Sequence, residues 1–199
     1  TGKRGGFSSK EEEATFGKRG LLMLENFFKN AKNLEKKHHN IDFPKYPLLE
    51  NVILIGNFDF IGEKEDGSLH VVDFKTGAND EKDPIQLYIY AILAEANLEK
   101  PVSSASFWYL DREDEPREIV LDPLEPKLEW LKEKATELKK ALDEGMWVCI
   151  KGSPSTRSAR SGQCRDCTDY QAIVDGKGEF QFTDYRYKKD VYYLQKVKQ

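Results

Sequence analysis

The sequence predicts an α/β domain in which a mixed central β-sheet is flanked by helices. Three observations predict it. Long segments carry apolar residues at helical spacing, and two pairs of short β-rich runs are joined by turn signals. These elements alternate in the order helix, strand, strand, helix, strand, strand, helix, tail. A chain of 199 residues is ample for one such domain and short for two. We therefore read residues 1–199 as a single domain, with an N-terminal helical region (1–40), a core (41–145) and a basic, cysteine-containing C-terminal region (146–199).

The first helix is predicted from about Lys10 to about Lys37. Ser9, followed three residues later by Glu12, fits a capping box. Leu21, Leu24, Phe27, Phe28, Ala31 and Leu34 recur at helical spacing and form its expected core face. Gly17 and Gly20 weaken its middle and mark a possible break. His38-His39, in a Lys-rich stretch, reads as an exposed helix end. After the Pro44–Pro47 stretch come two strand-like runs, Asn51–Gly62 and Leu69–Lys75, separated by the hairpin turn signal Glu65-Asp66-Gly67-Ser68. A helix over about Ile85–Asn97 follows Pro84. A second strand pair, Ser104–Leu110 and Arg117–Leu121, brackets a polar turn. Leu124–Gly145 is a long amphipathic helix that Gly145 is suited to end. In the tyrosine-rich tail, Phe180–Tyr187 reads as a strand and Val191–Val197 as a short helix or strand.

Composition excludes several classes. The chain is 33% charged and 39% hydrophobic, and no run approaches the roughly 18 apolar residues of a membrane span. The opening Thr-Gly-Lys-Arg-Gly-Gly predicts no signal peptide, and a first residue of Thr fits a piece of a longer polypeptide. Three cysteines do not make a disulfide framework and fit a reducing, cytoplasmic setting. The net charge of −4 argues against indiscriminate nucleic-acid binding, but it is unevenly distributed. Residues 1–40 and 151–199 each carry +4, and residues 41–150 carry −12. An acidic centre between basic flanks suits a carboxylate metal site approached by a polyanion; it is equally what uneven surface charge looks like.

Chemistry concentrates on the first hairpin. Its second strand reads Val71-Val72-Asp73-Phe74-Lys75-Thr76-Gly77, and alternation puts Val71, Asp73 and Lys75 on one face, Val72 and Phe74 on the other. An acid and a base on an apolar strand are costly to bury unless paired or coordinating a metal. The preceding strand carries one acid, Asp59. Two carboxylates on adjacent strands can hold a hard divalent cation such as Mg²⁺. A lysine beside them can orient or deprotonate an attacking water and offset charge building on a phosphate. On a solvated hairpin the same residues would be an ion pair of little worth. Register decides between the two. A two-residue Asp66-Gly67 turn sets Asp59 opposite Phe74, on the wrong face. A three-residue Glu65-Asp66-Gly67 loop with Gly67 left-handed sets it opposite Asp73. We expect the longer loop. Gln86 and Tyr90, four apart on the next helix, share one face, either as site residues or as a buried Gln and a core-edge Tyr.

Gly56-Asn57-Phe58-Asp59, Val72-Asp73-Phe74-Lys75-Thr76-Gly77 and Gln86-Leu87-Tyr88-Ile89-Tyr90 together resemble the core of RecB-like nucleases of the PD-(D/E)xK superfamily. The resemblance spans roughly residues 20–175 and is similar to the nuclease-like C-terminal domains of UvrD/Rep-type helicases and AddB-like proteins. It implies a restriction-endonuclease-like core. It also implies a Mg²⁺- or Mn²⁺-dependent DNA nuclease, exo- or endonucleolytic, in DNA repair or recombination. DNA would be a partner, with a helicase or recombination subunit beside it. In that frame Asp59, Asp73 and the Phe74 backbone carbonyl are metal ligands. Lys75 is the catalytic lysine, and Gln86 and Tyr90 support the site. The alternative is a catalytically inactive DNA-binding or scaffolding module of the same fold.

Two departures stand out. Relatives carry a His or Glu on the first helix; here Glu25, among apolar residues, is the candidate. Relatives also hold a four-cysteine iron–sulfur staple. Here Cys164-Arg165-Asp166-Cys167 remains, Val174 stands near where the last cysteine would fall, and no cysteine precedes Cys149. We read Cys164 and Cys167 as a zinc or iron–sulfur remnant and expect no cluster. Lys151, Arg157, Arg160 and Arg165, among Ser, Gly and Pro, are candidate phosphate contacts or a solvated loop.

Overall fold

A computed structural model describes residues 2–145 and 165–195. Contacts group the chain into two compact units, Arg19–Glu144 and Thr1–Lys18 with Gly145–Gln199.

The larger unit holds a five-stranded mixed sheet. In chain order its strands are β1 (Lys37–His39), β4 (Phe60–Glu63), β5 (Leu69–Lys75), β6 (Val102–Tyr109) and β7 (Arg117–Ile119), and they lie side by side in that order. Only β5 and β6 are parallel. That pairing requires a crossover, and α2 (Ile85–Leu98) supplies it. A separate two-stranded ribbon joins β2 (Lys45–Leu49) to β3 (Val52–Ile55). Helix α3 (Leu124–Glu144) follows β7, and Gly145 ends it at φ +64°.

Helix α2 is apolar on nearly every side because it is covered on two. Its Leu87 and Ala94 pack on Ile61, Val71, Ala105, Phe107 and Tyr109 of the sheet. Its Ile92 meets Leu48 of β2 and Leu131 and Ala135 of α3. A helix buried between two layers loses the polar stripe that a surface helix keeps.

The opposite sheet face carries Phe74 and Trp108, against which Phe27 of α1 (Lys10–Asn30) packs at ring-centroid distances of 5.5 and 5.8 Å. Deeper on that face His70 bridges Glu35 (2.7 Å) and the buried Ser106 (2.8 Å).

Helix α1 departs from the expected pattern. It runs unbroken through Gly17 and Gly20 and stops at Asn30, and His38 and His39 lie in β1 rather than at a helix end. Ser9 Oγ accepts the Glu12 N–H, while Glu12 reaches back to Ser8 instead of Ser9. Of the expected core face, Leu21, Leu24 and Phe28 are exposed, while Phe27, Ala31 and Leu34 are half-buried. The docked face is Met23-Asn26-Phe27-Asn30, which has perfect i, i+3, i+4, i+7 spacing but is half polar. Asn26 donates to the carbonyls of Leu110 (2.9 Å) and Glu113 (2.7 Å), contacts that hydrophobic periodicity does not register.

The run Asn51–Gly62 is likewise two strands rather than one. Asn51, at φ 63°, turns the chain from β2 into β3, so residues 45–47, for which the sequence predicts no element, lie in a strand. Gly56 then passes under α2 so closely that a Cβ would lie 2.5 Å from Leu93 Cδ1.

The described part of the smaller unit includes the start of α1, helix α4 (Arg165–Val174) and a hairpin of β8 (Glu179–Asp184) and β9 (Lys189–Tyr193). Among the described residues no helix is long and apolar enough to cross a membrane.

Candidate active site

The β4–β5 turn sets the site. Lys64 N–H donates to the Ser68 carbonyl at 2.9 Å, enclosing the three-residue loop Glu65-Asp66-Gly67. Gly67 sits at φ +82°. Asp66 Oδ1 accepts both the N–H and the hydroxyl of Ser68, at 2.9 and 2.6 Å, and so rigidifies the turn. The resulting register pairs Phe60 with Val72 and Ile61 with Val71. Asp59 lies one residue beyond that pairing, in a bend just before β4, and its charge acts on Asp73.

The backbone adds a further donor. Lys75 C=O accepts the Leu110 N–H at 3.1 Å, so Lys75 turns its backbone groups toward the β6 side. Alternation turns those of Phe74 toward the β4 side, where its N–H donates to Asp59 Oδ2 at 2.9 Å. The Phe74 carbonyl faces the same way.

Asp73 is 3% exposed. Its Oδ1 accepts from Gln86 Nε2 at 3.0 Å. Its Oδ2 pairs with Lys75 Nζ at 2.6 Å. Lys75 Nζ also donates to Gln86 Oε1 at 2.7 Å and lies 4.9 Å from the centre of the Phe107 ring. Gln86 Nε2 donates in addition to Tyr90 Oη at 2.9 Å, and Tyr90 packs edge-on against Phe58. Four of the residues singled out in the sequence, Asp73, Lys75, Gln86 and Tyr90, thus form one connected network, and Asp59 adjoins it through Phe74.

The charges are not balanced. Burial pushes the Asp73 carboxyl above its usual pKa; Lys75 opposes the rise, and the charges of Asp59 and Glu81 add to it. Burial pulls Lys75 down, but the hydrogen bond and charge of Asp73, with the charge of Glu81, hold it above its usual value. Burial also raises Tyr90, against the hydrogen bond from Gln86. One ammonium therefore faces three carboxylates, and the most buried of them is under-compensated.

A family model described as the PD-(D/E)XK nuclease superfamily matches residues 5–173. The chain belongs to the PD-(D/E)XK nuclease superfamily. No curated protein matches it significantly. Nucleases of this superfamily generally use divalent metals, and the residues present fit one. The donors are hard oxygens, and the buried Asp73 carboxylate has the charges of Asp59 and Glu81 near it against the one ammonium of Lys75. Among the described residues no three His, Cys, Asp or Glu cluster tightly enough to hold a metal by themselves. Two carboxylates, a carbonyl and waters are the kind of shell a Mg²⁺ ion accepts.

Other expected site residues lie elsewhere. Glu25 does not join the site. It is exposed on α1, and two residues along a helix are about 200° apart, so Phe27 facing the sheet turns Glu25 outward. Phe27 moreover covers the sheet face opposite Asp73. Cys164, Lys151, Arg157 and Arg160 lie outside the described residues. Arg165 opens α4, and Cys167 is half-buried on it.

Sequence reasoning missed Glu81 and the brace that places it. Glu81 Oε1 lies 3.7 Å from Lys75 Nζ, and the Glu81 N–H donates to Tyr109 Oη at 2.7 Å. Asp80, its neighbour, is held by Arg112 (2.6 Å) and Arg117 (2.7 Å). The guanidinium carbons of these two arginines lie 4.2 and 4.8 Å from the centre of the Tyr109 ring. Arg19 anchors the start of the same loop through the Thr76 carbonyl at 2.7 Å. The only available signal was register: Tyr109 is the β6 partner of Lys75.

Proposed function

We propose that the protein is a Mg²⁺- or Mn²⁺-dependent deoxyribonuclease that hydrolyses phosphodiester bonds in DNA repair or recombination, working beside a helicase or recombination subunit. The observation that carries this reading is the buried Asp73 carboxylate, paired with Lys75 at 2.6 Å and acted on by the further negative charge of Asp59 and Glu81. Asp59, Asp73 and the Phe74 carbonyl would hold the cation. When bound, a divalent cation polarises the phosphate and lowers the pKa of its water. Gln86 fixes Asp73 and Lys75 at once, presenting a carboxylate edge and an ammonium in one orientation. Lys75 brings positive charge to the place where charge develops on the phosphate. Tyr90 props Gln86. Residues 1–199 act in this reading as one nuclease domain with residues 41–145 as its catalytic core, and the basic segment with Lys151, Arg157, Arg160 and Arg165 contacts DNA phosphates.

The outward-turned Glu25 favours a second reading, a DNA-binding scaffold of the same fold without chemistry. Incubation with labelled single- and double-stranded DNA in Mg²⁺, Mn²⁺ or EDTA separates the two. Metal-dependent cleavage that is lost in Asp73→Ala and in Lys75→Ala supports the enzyme. DNA retention with no cleavage in either metal supports the scaffold.

A further inference from the structure

The β8–β9 hairpin of the smaller unit ends in Tyr185-Arg186-Tyr187-Lys188-Lys189, five residues with three positive charges and no negative one. Tyr185 is 86% exposed and Tyr187 60%. Two aromatic rings held in water on one turn are an unfavourable use of apolar surface unless something covers them.

The turn is built, not slack. Asp184 Oδ1 accepts the N–H groups of Arg186 (3.0 Å) and Tyr187 (3.3 Å), closing an Asx turn. Lys188, at φ 51°, returns the chain into β9. Asp190 Oδ1, on the other side, accepts the Thr183 hydroxyl at 2.8 Å. Both flanking carboxylates accept from the hairpin's own donors and keep their charge, so the three cations Arg186, Lys188 and Lys189 leave residues 184–190 with a net charge of +1. Arg186 lies over the Tyr187 ring, with its guanidinium carbon 5.3 Å from the ring centre. Rigid exposed rings interleaved with cations are what an unpaired base and its phosphate require: a π-face to stack on and a charge beside it.

We propose that this hairpin tip is a binding site for single-stranded nucleic acid, with Tyr185 and Tyr187 stacking on bases and Arg186, Lys188 and Lys189 meeting phosphates. The class of polymer rests on the nuclease reading; the geometry of the tip does not. Within a duplex every interior base is stacked on both faces and offers no free π-face, so the site discriminates single strands from paired ones.

The test is fluorescence anisotropy in EDTA with a short fluorescein-labelled oligothymidine and with a duplex of the same length. Tyr185→Ser/Tyr187→Ser should weaken oligothymidine binding by about tenfold or more and leave duplex binding unchanged. Tyr185→Phe/Tyr187→Phe, which keeps the rings, should retain wild-type affinity. The proposal is overturned by a Ser variant that binds oligothymidine like the wild type, or by a Phe variant that loses as much as the Ser variant. Wild-type protein that binds phosphatidylserine vesicles and not oligothymidine overturns it too. The proposed nuclease cannot turn over in EDTA, so the two readings fail separately. Tyrosine-dependent binding with no cleavage in metal removes the nuclease alone, and metal-dependent cleavage with tyrosine-independent binding removes the hairpin site alone.

Discussion

Gln86→Leu probes the network most sharply, because one side chain serves three partners. It accepts from Lys75 Nζ at 2.7 Å and donates to Asp73 Oδ1 at 3.0 Å and Tyr90 Oη at 2.9 Å. A hydrogen bond to a charged group contributes about 1.5–3 kcal/mol and a neutral one about 1 kcal/mol, so removing all three forfeits about 4–7 kcal/mol. Burying a leucine in place of the amide returns about 1.5–3 kcal/mol. The expected net loss is about 1–5 kcal/mol, because Oδ1 of a carboxylate that is 3% exposed loses its Gln86 donor. Urea unfolding in EDTA reads this as a lower midpoint at unchanged slope. Asp73→Asn/Gln86→Leu closes a double-mutant cycle, with an expected coupling of about 1 kcal/mol or more. A loss within about 0.5 kcal/mol, the range of an ordinary surface substitution, would refute the claim that Gln86 holds the site together.

Two other perturbations follow from the same geometry. Gly56→Ala places a methyl 2.5 Å from Leu93 Cδ1 on a fully buried leucine and should cost about 1–3 kcal/mol, read as a drop in thermal midpoint. Glu63 is held down to about pH 2 from an ordinary 4.5 by Lys100 first, then Lys37 and His39. A depressed carboxylate contributes stability above its unfolded pKa and loses it as pH falls through its folded one. Glu63→Gln should therefore destabilise the protein at neutral pH, with the difference from wild type shrinking between about pH 4.5 and 2 in acid titrations followed by circular dichroism.

The site was legible wherever chemistry is local in sequence. Asp73 and Lys75 share a face by alternation, Gln86 and Tyr90 by helical spacing, and turn chemistry at Gly67 sets the β4–β5 register, with Asp59 one residue beyond its last pair. What escaped is held by contacts distant along the chain. Asp80 and Arg112 meet across 32 residues and Arg19 and Thr76 across 57, and no window of sequence contains both members of either pair. Glu81 depends on that brace and was invisible for the same reason. The rotation of α1 was missed because Asn26 and Asn30 dock it through hydrogen bonds, so its buried face is not its most apolar one. The β2 strand has no counterpart in the sequence pattern, since Pro47 cannot donate to a ladder; it sits within a two-stranded ribbon, where every strand is an edge and proline is tolerated.

The proposed nuclease requires Asp59 and Asp73 to share one hard-cation site beside Lys75. Electron paramagnetic resonance of Mn²⁺ titrated into wild-type protein, Asp59→Asn and Asp73→Asn measures that directly, without reference to turnover. The account predicts one Mn²⁺ site per wild-type chain, weakened by at least about tenfold in either variant, with thermal midpoints in EDTA showing each variant folded. Mn²⁺ binding to Asp73→Asn with wild-type affinity and stoichiometry would contradict it.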